Sequence, residues 1–172
     1  MRALMKAFVL GCLPMMALAA CDDRKSDAAT TPGSAPSSAY DTSEASNARY
    51  LADYAARPGV IKTDSGLMYR VLRAGTGPAV TSPRDHVTVY YKGALIDGKV
   101  FDQTKPEEPA TFPSGMLIPG WVEALQKMKT GDTWELVIPA ALGYGEEGAG
   151  DSIPPNQTLV FTMSLVKVEY AP

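Results

Sequence analysis

Ile118-Pro119-Gly120-Trp121 constrains the fold of this chain more than any other stretch. Pro119 and Gly120 end an extended segment and suit the start of a helix. Behind them Trp121, Val122, Leu125 and Met128 fall on one face at spacings of three, four and seven, and Gly131 suits the helix end. The pattern predicts one short amphipathic helix over residues 121–128, set among segments that read as β. A tryptophan in the first turn of such a helix can point its ring end-on into a sheet that wraps the helix. It then forms either a plug or the floor of a pocket.

The surrounding segments supply the sheet. Leu67 to Leu72 reads as a strand closed by Gly75-Thr76-Gly77-Pro78. His86 to Leu95 is rich in Val, Thr and Tyr, and Asp97-Gly98 signals a hairpin into Val100-Phe101-Asp102. Thr111-Phe112 begins a short strand before the helix, and Trp134 to Ile138 is another. Leu159 to Val168 is the last strand, with Leu159, Phe161, Met163 and Leu165 on one face. Between these two strands, Leu142 to Gln157 is a glycine-rich loop too long for mere connection. The expected fold is α+β, an antiparallel half-barrel of about five strands wrapped around one short helix.

Upstream, Ser43 to Arg57 reads as a short lead-in helix stopped by Pro58-Gly59. Its apolar side is thin and mostly alanine: Ala45, Ala48, Leu51, Ala52 and Ala55. Such a stripe suits a docked or solvated lead-in helix, or a dimerisation helix. Residues 43–65 are read as this helix and a linker, and 66–172 as the main domain. Residues 21–42 are a tether whose Ala, Ser, Thr, Pro and Gly cannot bury enough surface to order themselves. A chain of this kind spans roughly 25 Å.

Residues 1–20 read as a leader. Arg2 and Lys6 form a positive start, and Ala7 to Leu18 is apolar but short for a transmembrane helix. Leu18-Ala19-Ala20-Cys21 resembles the lipobox of bacterial lipoproteins at all four positions. The resemblance implies cleavage before Cys21 and acylation of that cysteine. Of the two cysteines, Cys12 would leave with the leader and Cys21 would be lipidated. No thiol then remains for a disulfide or for thiol catalysis.

Standard catalytic sets are missing from the sequence. The single histidine, His86, opens a strand after Ser82-Pro83-Arg84-Asp85, and one histidine with two cysteines in the leader region builds no His/Cys metal-ligand cluster. No P-loop lysine or nucleophile-elbow sequence is present. A net charge of −3 argues against a nucleic-acid surface. What remains is a set of aromatic and apolar residues at turns: Tyr91, Phe101, Trp121, Tyr144, Ile153 and Phe161. Converging on the helix start, they would make a concave apolar site with Asp102 and the Tyr144 hydroxyl as polar handles.

Five ordered motifs carry a family resemblance. They are Tyr91-x-Gly93, Asp97-Gly98-x-x-Phe101-Asp102, Ile118-Pro119-Gly120-Trp121, Ile138-Pro139 with Tyr144-Gly145, and Ile153-Pro154-Pro155-Asn156-x-Thr158-Leu159-x-Phe161. Together they resemble FKBP-type peptidyl-prolyl cis-trans isomerases over residues 66–168. Within that family, Phe112-Pro113 and Trp134-Glu135-Leu136 resemble the bacterial macrophage-infectivity-potentiator-like group. The resemblance implies Trp121 as pocket floor, with Tyr91, Phe101, Ile118, Ile153 and Phe161 as walls. Leu117 and Phe112 would also meet substrate. The Ile118 amide and Tyr144 hydroxyl would donate to substrate carbonyls, and Asp102 would be a polar anchor near Tyr91. Departures lie at the rim: Ala110 stands where many members have an aromatic, and Ala149 and Ser152 lie in a loop often bulkier.

No cofactor is implied. The implied partners are proline-containing unfolded or folding polypeptides, the macrolide ligands of the family, and a membrane reached through the lipid anchor. The implied place is the periplasmic face of a bacterial membrane, inner or outer. A non-catalytic chaperone or peptide-binding module on the same fold is the alternative.

Overall fold

The structure is a computed structural model that describes residues 40–172; the leader, Cys21 and residues 22–39 of the tether lie outside the described residues. Elements follow in the order α1 (Glu44–Ala55), β1 (Val60–Lys62), β2 (Met68–Arg73), β3 (His86–Leu95), β4 (Val100–Gln103) and β5 (Ala110–Pro113). Then come α2 (Pro119–Lys127), β6 (Thr133–Ile138), a short 3-10 turn at Ala140–Leu142, and β7 (Leu159–Glu169). The seven strands form one antiparallel sheet in the order β1-β2-β6-β7-β3-β4, and β5 also pairs with β3.

Alternation builds the inner face. Val87 and Val89 of β3 and Leu159, Phe161, Met163 and Leu165 of β7 are buried at every second position. Register shifts at Val71/Arg73, Thr88/Val89 and Gly93/Ala94 bend the sheet around α2. Helix α2 buries Gly120, Trp121, Ala124 and Leu125 against that face, and Met128 just beyond it is also buried. Val122, expected on the same stripe, is only half-buried, and Ala124 takes its place.

Three expectations are adjusted. The sheet has seven strands rather than about five, partly because β1 is three residues long and too short to show a period. Helix α2 ends at Lys127, and Gly131 does not cap it. Met128 is already extended, and Gly131, at φ +97°, sits in the turn that leads into β6. The Asp132 carboxylate staples that turn by accepting the N–H groups of Lys129 at 2.6 Å and Gly75 at 2.5 Å.

Helix α1 buries a different side from the expected one. Ser43 caps it, its hydroxyl accepting the Ser46 N–H at 3.3 Å. The alanine side does not pack: Ala45, Ala48, Ala52 and Ala55 are exposed and Leu51 is half-buried. The buried side carries Asn47, Tyr50 and Tyr54. The two tyrosines pack with Met68, Ile96 and Val137. Tyrosine wins because it buries far more surface than alanine, and its hydroxyl can find a partner. The Tyr54 hydroxyl donates to Glu135 Oε1 at 2.8 Å, and Arg70 pairs with the same oxygen at 3.2 Å. Burial, then the charge and hydrogen bond of Glu135, push the Tyr54 phenol up, so it stays a donor. Val137 and Val160 under α1 alternate with Leu136 and Phe161 of the core, so α1 lies on the sheet face opposite α2.

Candidate functional site

At the head of α2 the sheet leaves a cavity of about 150 Å³, open to solvent and lined by Tyr91, Phe101, Asp102, Phe112, Leu117, Ile118, Trp121, Tyr144 and Phe161. Each element contributes through a local rule. Tyr91 follows Val87 and Val89 on the inner face of β3. Phe161 is the second residue of the inner row of β7. Phe101 owes its position to a bulge: Gly93 pairs with Asp102 and Ala94 with Val100, which leaves Phe101 unpaired between them. Pro119 opens α2 from an extended Ile118, at φ −57° and ψ 145°, which places Leu117 and Ile118 at the cavity edge. Tyr144 reaches the rim from the long loop between β6 and β7.

Trp121 is the floor. Although only 4% exposed, it lines the cavity, so its ring is not a plug sealed in the core. Gly120 permits this: a Cβ there would lie 2.6 Å from Ile138 Cγ2, so the helix head can press against β6 only without a side chain. The indole is boxed edge-to-face by Tyr91 at 5.0 Å, Phe161 at 5.1 Å and Phe112 at 6.2 Å between ring centroids. Phe101 meets Phe161 at 5.5 Å and 87°. Such perpendicular packing is the favoured geometry for aromatic pairs and fixes the cavity shape.

Gly93 is the residue whose part the sequence reading did not name. A Cβ on it would lie 2.5 Å from Phe161 Cε1 and 2.7 Å from Phe101 Cζ. Both rings therefore rest on its bare backbone. A glycine inside a strand is the available signal for such an approach, and Tyr91-x-Gly93 contains it.

Polar groups are few. The Tyr91 hydroxyl donates to Asp102 Oδ2 at 2.7 Å. Burial, that hydrogen bond and the Asp102 charge push the Tyr91 phenol well up, so it remains protonated. No hydrogen bond among the described residues uses the Ile118 N–H, and that amide is free to donate. Tyr144 is 41% exposed. The arrangement can receive a small apolar ring over Trp121 and offer donors to the polar groups flanking it.

Nine of the ten expected cavity residues converge here; Ile153 does not. It is buried in the core cluster beside the cavity, its backbone paired with Ala149, and is not on the lining. His86 lies at the start of β3, opposite Glu169 and Pro113, and is not on the cavity lining.

Comparison with known proteins adds to this geometry. A family model described as FKBP-type peptidyl-prolyl cis-trans isomerase matches residues 77–166. A second, described as the domain amino terminal to FKBP-type peptidyl-prolyl isomerase, matches residues 16–71. The chain is 50% identical over 125 residues to the FKBP-type 22 kDa peptidyl-prolyl cis-trans isomerase of Escherichia coli, covering 72% of this chain and 60% of the relative. It is 48% identical over 123 residues to the outer membrane protein MIP of Legionella longbeachae, covering 71% of this chain and 52% of the relative. The chain thus spans between about half and three fifths of the length of these relatives. Among solved structures, a peptidyl-prolyl cis-trans isomerase of Pseudomonas syringae superposes with a TM-score of 0.68 at 42% identity, covering 72% of this chain and 91% of that one. FkpA of Escherichia coli superposes with a TM-score of 0.71 at 45% identity, covering 75% of this chain and 60% of that one. The first matched span contains every residue that lines the cavity, from Tyr91 to Phe161, so sequence and geometry agree that the chain belongs to the FKBP-type peptidyl-prolyl cis-trans isomerase family.

Proposed function

We propose that this chain is a peptidyl-prolyl cis-trans isomerase acting on proline-containing unfolded or folding polypeptides outside the cytoplasm. The single observation that carries the reading is the aromatic cavity over Trp121, rimmed by the unused Ile118 amide. Amide resonance sets a barrier of about 18–20 kcal/mol to rotation. The planar amide is charge-separated, so water stabilises it more than the twisted one. An apolar cavity withdraws that help, and the relative cost of twisting falls. With the prolyl ring held over Trp121, donors from Ile118 and Tyr144 to flanking carbonyls favour the rotated geometry. The Tyr91–Asp102 hydrogen bond holds one wall in place. Nothing in this scheme needs a nucleophile or a proton transfer. The macrolide ligands of the family would occupy the same cavity.

The leader at residues 1–20, acylated Cys21 and the tether at 21–42 would hold the domain of residues 66–172 at the periplasmic face of a membrane. Support comes from Leu18-Ala19-Ala20-Cys21 and from a relative named as an outer membrane protein.

The test is cis–trans isomerisation of a short proline peptide by the full chain, by a chain lacking residues 22–39, and by Phe101→Ala. Removing the tether should leave turnover unchanged. Phe101→Ala should lower kcat/KM by about tenfold or more, as expected for a displaced positioning contact, with circular dichroism confirming the fold. A folded Phe101→Ala protein with the wild-type rate would sink this assignment. Peptide binding without turnover in the wild type would favour the binding module instead.

A further inference from the structure

The loop that carries Tyr144 is tied down from the opposite face of the sheet. Asn47, on the buried side of α1, is 4% exposed. Its Oδ1 accepts the Thr158 N–H at 2.7 Å. Its Nδ2 donates to the Ser43 carbonyl at 2.9 Å and to Gln157 Oε1 at 3.3 Å, across 110 residues of sequence. Gln157, also 4% exposed, donates from Nε2 to the carbonyls of Pro155 at 2.9 Å and Thr42 at 3.0 Å. One residue earlier, the Asn156 N–H donates to the Gly145 carbonyl at 2.8 Å, and the Gly148 N–H donates to the Tyr144 carbonyl at 3.1 Å. Hydrogen bonds and adjacent peptide units thus connect α1 to the backbone of Tyr144.

The loop needs such a tie. Gly145, Gly148, Gly150 and Asn156 all have φ between +52° and +69°, and between Leu142 and Leu159 the loop holds no strand or helix, only the single Ala149–Ile153 pair. Each residue fixed in one conformation costs about 1–2 kcal/mol of backbone entropy. If the loop is ordered before substrate arrives, that cost does not count against binding. Asn47 suits this task because it uses both ends of its amide and is buried with its partners. Removing it leaves the Thr158 N–H and the Gln157 oxygen short of a partner.

We propose that Asn47 is a positioning residue for the isomerase reaction: through Gln157 and Thr158 it holds the β6–β7 loop so that Tyr144 stands at the cavity rim before substrate binds. The inference rests on the isomerase reading above. It makes α1, which lies in the span matched by the amino-terminal family domain, part of the working unit.

The experiment uses the full chain with Asn47→Ala, Gln157→Ala, the double variant, and Tyr54→Phe. The last removes another tie of α1, the bond to Glu135, which does not touch the loop. KM and kcat are measured separately on a short proline peptide, with amide exchange at Gly148 and Asn156. Asn47→Ala should raise KM by about five- to tenfold with less change in kcat, because loop ordering now opposes binding. Exchange at Gly148 and Asn156 should quicken. Gln157→Ala should act in the same direction, and the double variant should fall short of the product because both act through one bridge. Tyr54→Phe should lower Tm without moving KM. Wild-type KM and wild-type exchange in Asn47→Ala would overturn the proposal, as would an equal rise in KM in Tyr54→Phe. If Asn47→Ala does not fold, Gln157→Ala decides by the same two readouts. A wild type without turnover would refute the isomerase reading alone; Kd for the same peptide would then replace KM and judge Asn47 by the same outcomes.

Discussion

Replacing Gly93 with alanine isolates the aromatic wall of the cavity. The residue is buried near the C-terminal end of β3 and its φ is not in the left-handed region, so alanine adds no backbone strain. The whole effect comes from one methyl group. It would lie 2.5 Å from Phe161 Cε1 and 2.7 Å and 2.9 Å from Phe101 Cζ and Cε2. Carbon pairs prefer about 3.5–4.0 Å, so the rings must retreat by about 1 Å. Phe161 is held by Trp121 at 5.1 Å and cannot yield toward it. Phe101, half-buried on the bulge, is the ring with room to move. Overpacking of this kind costs about 1–3 kcal/mol of stability. A 1 Å error in a positioned contact can cost about a hundredfold in rate. The expectation is a Gly93→Ala protein that folds, unfolds at lower denaturant with the same m-value, and has kcat/KM reduced by about ten- to a hundredfold. Urea melts and isomerisation of a proline peptide, at a temperature where the variant is fully folded, read both quantities. A stable, folded variant with wild-type kcat/KM would show that the Phe101–Phe161 wall is not the reacting surface.

Other outcomes follow from the same geometry and, for Cys21, from the sequence alone. Because Tyr91 stays protonated and the scheme moves no proton, kcat/KM should be nearly flat between about pH 5.5 and 8.5. His86→Ala should not change that profile; a limb near neutrality that vanishes with His86 would refute the desolvation scheme. Tyr91 also links stability to alkaline pH. Its folded value is raised, so its contribution is complete below the unfolded phenol value of about 10 and is lost as pH climbs past it; equilibrium melts of Tyr91→Phe should show a shallower alkaline decline. Cys21→Ser should abolish fatty-acid labelling and release the protein from membranes, and undiminished labelling would exclude lipidation at that position.

Much of the cavity was legible in the chain because its residues belong to short local patterns. Pro119-Gly120-Trp121 announces a helix start wherever it is placed, and the alternation of Leu159, Phe161, Met163 and Leu165 fixes one face of a strand without reference to its neighbours. Gly93 was visible as a letter in a motif, but its reason was not. That reason is two rings arriving from β4 and β7, and no local pattern encodes it.

Read alone, the chain places both helices and every strand but the three-residue β1, and it shows which side of β3 and β7 faces inward and which aromatic side chains could meet. The tertiary structure alone decided which side of α1 is buried. An alanine stripe and a tyrosine stripe both suit a helix; only the outer face of the sheet, with Met68, Val137 and the Glu135 carboxylate, selects Tyr50 and Tyr54. It alone placed Ile153 in the core instead of on the cavity, since a short apolar residue in a turn carries no sign of the direction it will face. It also brought Asn47 against Gln157 and Thr158. Hydrogen bonds between residues so far apart depend on the packing of a helix against a sheet, and a linear pattern holds no record of that distance.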